Sequence, residues 1–204
     1  MNILILDYGM GNIQSMVRKI QHFGTPVAAS SPEAIEASDK IILPGVGHFG
    51  RAMEFLKEKH LIAPLNAAVI EHKKPILGVC LGMQLMTTRS EEGNVDGLGW
   101  IDAEVRQFRV QDNFKFKVPH VGWNKAVFTK ESILTQGIPE DNEFYFVHSY
   151  YVQCEQQSDV LTTSHYALEF DSAFQKGNIY GTQFHPEKSL DFGMKMLQNF
   201  VQFA

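Results

Sequence analysis

Strand-like and helix-like segments alternate through residues 2–80 of this 204-residue chain, and that alternation restricts the fold more than any other feature. Residues 2–7 are a short apolar run closed by Tyr8-Gly9-Met10-Gly11. From Asn12 onward, Ile13, Met16, Val17, Ile20 and Phe23 recur at helical spacing until Gly24 stops the pattern. A strand over residues 26–29 precedes Ser31-Pro32-Glu33, an N-cap with proline at the first helical position. Residues 40–43 form another apolar strand, closed by Pro44-Gly45-Val46-Gly47. Helices are expected over about 49–59 and 64–72, and a strand over 75–79 runs straight into Cys80. Apolar strands separated by helices predict a parallel sheet covered on both faces.

After about residue 100 the pattern turns strand-rich, with runs at 103–108, 114–119, 144–148 and 160–166. Segments 167–175 and 178–184 flank Lys176-Gly177 as a hairpin, and a final helix over 190–203 aligns Met194, Leu197, Phe200 and Val201. The expectation is an α/β fold: a mostly parallel central sheet flanked by helices, with a strand-rich C-terminal half. Without a linker, charge block or internal repeat, residues 1–204 read as one domain.

Composition removes several classes of function. Lys and Arg number 18 against 23 Asp and Glu, a net charge of -5 that argues against a nucleic-acid binder. Two cysteines cannot build a disulfide framework and make no metal-ligand pair, so Cys80 and Cys154 are expected to be free thiols in a reducing compartment. The N-terminal run lacks a basic leader and no stretch is apolar enough to span a membrane, which points to a soluble cytoplasmic protein.

The sharpest local signal is Gly78-Val79-Cys80-Leu81-Gly82, a glycine-flanked nucleophile where a strand turns into a helix. Glycines are needed there because a Cβ on either side would crowd the tight turn. The helix expected from Leu81 would favour a thiolate and a nearby oxyanion. Cys80 is equally readable as a small buried hydrophobe, and the pentapeptide leaves both readings open. Cys154 has no glycine context and reads as a strand residue. A nucleophile needs a base, and Gln183-Phe184-His185-Pro186-Glu187 supplies one directly after a strand. In an extended run His185 and Glu187 would share a face, so that Glu187 orients the imidazole. The glycine-rich turn Pro44-Gly45-Val46-Gly47 can aim amides at an oxyanion, although an ordinary strand-to-helix turn reads the same way. Tyr8-Gly9-Met10-Gly11-Asn12 lacks the third glycine of a dinucleotide site, and no P-loop or metal cluster is present. The other histidines default to packing or surface positions, with His120 and His148 lying inside further motifs.

Together these segments resemble the class I glutamine amidotransferases, and within them the glutaminase subunits of imidazole glycerol phosphate synthase in histidine biosynthesis. The resemblance runs the full length. It rests on Asp7-Tyr8-Gly9-Met10-Gly11-Asn12, Pro44-Gly45-Val46-Gly47-His48-Phe49, Gly78-Val79-Cys80-Leu81-Gly82-Met83-Gln84 and Pro119-His120-Val121-Gly122-Trp123-Asn124, together with Tyr145-Phe146-Val147-His148-Ser149-Tyr150 and Gln183-Phe184-His185-Pro186-Glu187-Lys188. It implies Cys80 as nucleophile, His185 as base and then acid, and Glu187 as orienter, with hydrolysis through a γ-glutamyl thioester. The resemblance also implies an oxyanion hole of the Leu81 N–H and an amide at Val46-Gly47. Gln84, Glu92, Ser149 and Tyr150 would hold the amino-acid end of glutamine. The implied partner is a (β/α)8 barrel cyclase that receives ammonia through a tunnel, in a heterodimer whose interface would include Asn12, Tyr145 and Lys188. No cofactor or metal is implied. The alternatives are a paralogous subunit that feeds another synthase, such as one amidating a surface-polysaccharide sugar, and a silent scaffold that only binds its partner.

Overall fold

A computed structural model of the chain describes residues 1–112 and 114–204. The first half follows the alternation: β1 (Asn2–Leu6), α1 (Ile13–Ile20), β2 (Thr25–Ala29), α2 (Pro32–Ala37), β3 (Lys40–Gly45), α3 (Phe49–Glu58), α4 (Ile62–Asn66, continued by a π turn over Ala67–Glu71), β4 (Ile76–Cys80) and α5 (Leu81–Leu85). The second half adds β5 (Thr87–Ser90), β6 (Val95–Asp96), β7 (Ile101–Gln107), β8 (His120–Asn124), β9 (Val127–Phe128), β10 (Phe144–His148), β11 (Tyr150–Cys154), β12 (Val160–Tyr166), β13 (Leu168–Lys176), β14 (Ile179–Thr182), a 3₁₀ turn over Pro186–Lys188 and α6 (Leu190–Phe203).

The main sheet runs β2-β1-β3-β4-β14-β13-β11-β7-β5-β6, with β12 and then β9 attached at β13. From β2 to β14 every neighbour is parallel, and from β14 through β13 and β11 to β7 the pairing is antiparallel. Alternation along the strands sends Leu4, Leu6, Ile41 and Leu43 to one face, against α2, α3 and α4. Ile3, Ile5, Ile42, Leu77 and Val79 face the other way, against α1 and α6. The strands are apolar on both sides because both faces are covered. Buried Lys40 donates to the carbonyls of Phe200 (3.0 Å) and Val201 (2.9 Å), tying the end of α6 to β3. β8 and β10 pair separately as a two-stranded antiparallel ribbon.

Two local expectations need correction. Residues 114–119 form no strand: the Asp112 carboxylate accepts from the Phe114 and Lys115 N–H groups (both 3.0 Å) in a turn, residues 116–119 are irregular, and the strand starts only at His120. The hairpin after β13 turns at Gly177-Asn178 and not at Lys176-Gly177, since Lys176 still pairs with Ile179 and Gly177 takes a φ of 57°.

Candidate active site

Cys80 is the last residue of β4 and the N-cap of α5, with φ 55° and ψ -110°, a conformation non-glycine residues rarely adopt. The flanking glycines are required by close backbone approach. A Cβ at Gly78 would lie 2.7 Å from the Gly82 carbonyl oxygen, and one at Gly82 would lie 1.7 Å from the Leu43 carbonyl oxygen. The elbow is thus wedged against the neighbouring strand β3. Parallel register sets Gly45 beside Cys80, so the chain leaving β3 delivers Val46 and Gly47 to the same end of the sheet. Gly47 has φ 118° there, and Val46 is exposed.

On the other edge of β4, β14 pairs Thr182 with Val79, so the residues after β14 reach the same place. His185 and Glu187 are both buried, and His185 Nδ1 lies 2.9 Å from Glu187 Oε1. They do not meet along an extended strand, as the sequence suggests. Pro186 opens a 3₁₀ turn over Pro186–Lys188, and the turn folds Glu187 back onto the imidazole. Nε2 is buried without a hydrogen-bond partner. Burial by itself lowers the imidazole pKa, but the neighbouring Cys80 sulfur and then the Glu187 carboxylate outweigh it and raise it to about 10. Both partners thus favour the charged ring, so a proton passed from the thiol is held there beside the thiolate.

Cys80 and Leu81 open onto a cavity of about 320 Å³, lined also by Val46, Gly47, Gln84, Glu92, Pro119, Val147, His148, Ser149 and Tyr150. Every residue singled out for the oxyanion hole and for substrate lies on it. Glu92 and its neighbour Glu91 are clearly separated. Glu92 accepts from the Phe49 N–H (2.7 Å) at the cavity wall, whereas Glu91 pairs with Arg109 at 3.0 Å outside it. The sequence reading missed Gln183. Its Nε2 donates to Cys80 Sγ (3.6 Å), and its Oε1 accepts from Gln84 Nε2 (2.9 Å). Its position in the segment leading to His185 was the only signal available. His148 also lines the cavity, although its sequence context suggested only packing or surface.

Tyr145 and Lys188 meet: the Lys188 ammonium sits 5.8 Å from the Tyr145 ring centre, and Trp123 approaches the same ring at 6.0 Å. Val121 and Trp123 project from the ribbon with 55% and 46% of their surface exposed. Asn12 is exposed and caps α1, its Oδ1 accepting from the Ser15 N–H at 3.2 Å.

The family model described as glutamine amidotransferase class-I matches residues 4–203. Imidazole glycerol phosphate synthase subunit HisH 2 of Methanococcus maripaludis is 49% identical over 203 residues, covering 99% of this chain and 100% of the relative. Subunit HisH 2 of Pseudomonas aeruginosa is 44% identical, again with 99% and 100% covered. Among solved structures, PurLQS from Thermotoga maritima superposes with a TM-score of 0.76 at 16% identity, covering 98% of this chain and 97% of that one. A structure described as glutamine amidotransferase gives a TM-score of 0.75 at 14% identity, covering 98% and 96%.

Proposed function

The chain belongs to the class I glutamine amidotransferase family, and on that footing we propose that it is the glutaminase subunit of an imidazole glycerol phosphate synthase, hydrolysing glutamine to glutamate and ammonia. One observation carries the reading: a strained Cys80 opens onto a small cavity beside a glycine turn, and a buried His185–Glu187 pair (2.9 Å) stands next to its sulfur. His185 takes the thiol proton as Cys80 attacks the side-chain amide carbon of glutamine. The tetrahedral oxyanion is met by the Leu81 N–H and an amide of the Val46-Gly47 turn. His185 returns the proton to the departing nitrogen, ammonia leaves, and a γ-glutamyl thioester remains on Cys80. Water then attacks the thioester, His185 takes its proton, and the thiol is regenerated as glutamate is released. Glu187 holds the ring in one orientation throughout and stabilises its charged form. Glu92 offers a carboxylate for the substrate ammonium, while Gln84, Ser149 and Tyr150 complete that end of the cavity.

The relatives are named as subunits of a synthase, and we assign this chain the same place, with ammonia passed to a (β/α)8 barrel cyclase. The half-exposed Val121 and Trp123, with Tyr145 and Lys188 beside them, offer an apolar, singly charged docking face. We further read residues 1–204 as one domain, because a single sheet joins both halves. Two free thiols suit a reducing cytoplasm, and among the described residues no helix is long and apolar enough to cross a membrane.

Glutamate release is the deciding assay, run with this chain alone and then with the cyclase barrel and its nucleotide ligand. Weak release alone and a large rise in the mixture are expected. No rise, from a folded chain whose Cys80 reacts with a glutamine-mimicking electrophile, would reject the histidine-pathway partner and keep the glutaminase.

A further inference from the structure

A second imidazole stands on the cavity, and its surroundings differ from those of His185. His148 Nδ1 lies 2.7 Å from the Tyr150 carbonyl oxygen, and its Nε2 lies 2.9 Å from His120 Nδ1. His120 Nε2 in turn lies 3.4 Å from Asn124 Nδ2. The proton positions along this row follow from its two ends. A carbonyl only accepts, so His148 Nδ1 carries a hydrogen. At the far end the orientation of Asn124 is pinned, because its Oδ1 accepts from the Lys125 N–H (2.8 Å) while its Nδ2 donates to the His165 carbonyl (3.0 Å). Asn124 therefore presents a donor to His120, whose Nε2 must be bare. His120 Nδ1 then carries the hydrogen and donates it to a bare His148 Nε2.

Adding a proton anywhere breaks the row. A cationic His148 would drive the hydrogen of its Nε2 at His120 Nδ1, push the His120 hydrogen onto Nε2, and set it against the Asn124 donor. Every bond is made only when both rings are neutral Nδ1–H tautomers. Stacking reinforces that state: His120 lies between Phe146 (5.0 Å) and Tyr166 (4.0 Å), and Phe108 and Phe170 border both rings. The titratable groups facing the dyad from other elements are Tyr166, a neutral phenol, and His185, whose charge further disfavours a cation at His148; Cys80 shares the cavity. Burial lowers the His120 pKa to about 4 and the His148 pKa to about 3.

The row continues toward the nucleophile. The Tyr150 carbonyl that accepts from His148 also accepts from Gln84 Nε2 (3.1 Å). Gln84 Nε2 bonds Gln183 Oε1, and Gln183 Nε2 reaches the Cys80 sulfur. We propose that His120 and His148 form a positioning dyad, locked as neutral Nδ1–H tautomers, that fixes the Tyr150 carbonyl and Gln84 at the substrate end of the cavity and denies the second imidazole beside Cys80 any role as base. Both nitrogens of His148 are engaged, so of the two imidazoles it is His185 that is free to take the thiol proton. The dyad also runs from β8 to β10 across the ribbon, which makes the geometry of that ribbon a condition of the pocket's geometry.

The dyad rests on the glutaminase reading for its purpose but not for its detection. In wild-type protein labelled with ¹⁵N at histidine, the two rings should show a protonated Nδ1 and a bare Nε2, with shifts unchanged between pH 8 and 5.5. An Nε2–H signal from either ring, or titration of either in that range, overturns the proposal whether or not glutamine is hydrolysed. The kinetic arm uses the complex with the cyclase barrel and its nucleotide ligand. His120→Phe keeps the stacking and removes the donor, whereas His120→Asn keeps a donor near the Nδ1 position and removes the ring. His120→Phe should raise KM for glutamine about tenfold and move the acid limb of kcat/KM upward, as His148 becomes free to titrate. His120→Asn should recover most of both changes. If His120→Phe matches wild type in KM and pH profile, or surpasses His120→Asn, the role is packing alone and the proposal fails. If the wild-type complex releases no glutamate, the functional reading fails and the tautomer measurement still judges the dyad.

Discussion

Two thiols each end a strand of the same sheet, yet only one is placed to react. Cys80 closes β4 among parallel strands, where the chain must turn at once into α5 and the sulfur opens onto the cavity. Cys154 closes β11 among antiparallel strands, its N–H bonded to Asp171 Oδ2 at 2.7 Å. Burial, then the Asp171 charge, pushes the Cys154 thiol well above its usual range. The contrast follows from topology. At the C-terminal ends of parallel strands, several chain segments leave the sheet side by side, and functional groups from separate stretches can converge there. An antiparallel strand end instead meets its neighbour's continuation: half-buried Cys154 borders a separate cavity beside Asp171, to which neither the glycine turn nor the His185 segment comes.

The strongest way to break this comparison is to remove each sulfur. Cys80→Ala should lower glutamine hydrolysis by on the order of 10⁴-fold while leaving the fold and partner binding intact. Retained hydrolysis would move the nucleophile elsewhere. Next in size is the pair behind the thiol. His185→Ala should approach the loss of Cys80→Ala, while Glu187→Gln should cost at least about tenfold less, because it orients and does not carry the proton. Equal losses would give Glu187 a further role.

A smaller effect separates the histidines of the two regions through acid unfolding. His120 and His148 have folded pKa values below the unfolded value of about 6.5. Below that pH the unfolded chain binds protons that the folded chain does not, so stability is full above it and falls with acid toward pH 4 to 3. Each histidine should withdraw roughly 2 kcal/mol by pH 5. Chemical denaturation at pH 7 and pH 5, compared between wild type and a His120→Phe/His148→Phe double variant, reads this loss free of the opposing gain from His185, and an equal pH response in the two would mean that the rings accept protons in the folded state. The smallest effect belongs to Cys154→Ala, expected to change glutamate release by less than about twofold. A larger change would show that the antiparallel end of the sheet reaches the chemistry after all.

Much of this arrangement was legible in the residues. The final helix falls on Leu190–Phe203 as its apolar spacing requires, and Gly78 and Gly82 announced the close approaches the elbow makes. The proposed set of Cys80, His185 and Glu187 could be named from the residues because each sits in a compact motif, and the fold sets His185 against Glu187. Short-range rules failed where the decisive partner was another segment or a single side chain. The Asp112 carboxylate turns residues 114–119 away from a strand, although their apolar alternation fits one. Pro186 was expected to steady an extended run, yet it begins a turn. Gln183 carries no motif of its own, since its role depends on β14 lying beside β4. His120 and His148 stand 28 positions apart and become a pair only when β8 and β10 align them in register.

The place of β14 in the sheet has a consequence for the chain as it is being made. The strand lies between β4 and β13, although it is the last to be synthesised. Until residues 179–187 have emerged from the ribosome, β4 has one open edge, and the thiol at its end lacks the proposed base and carboxylate. A nascent or prematurely terminated chain can therefore carry a complete elbow and remain chemically silent.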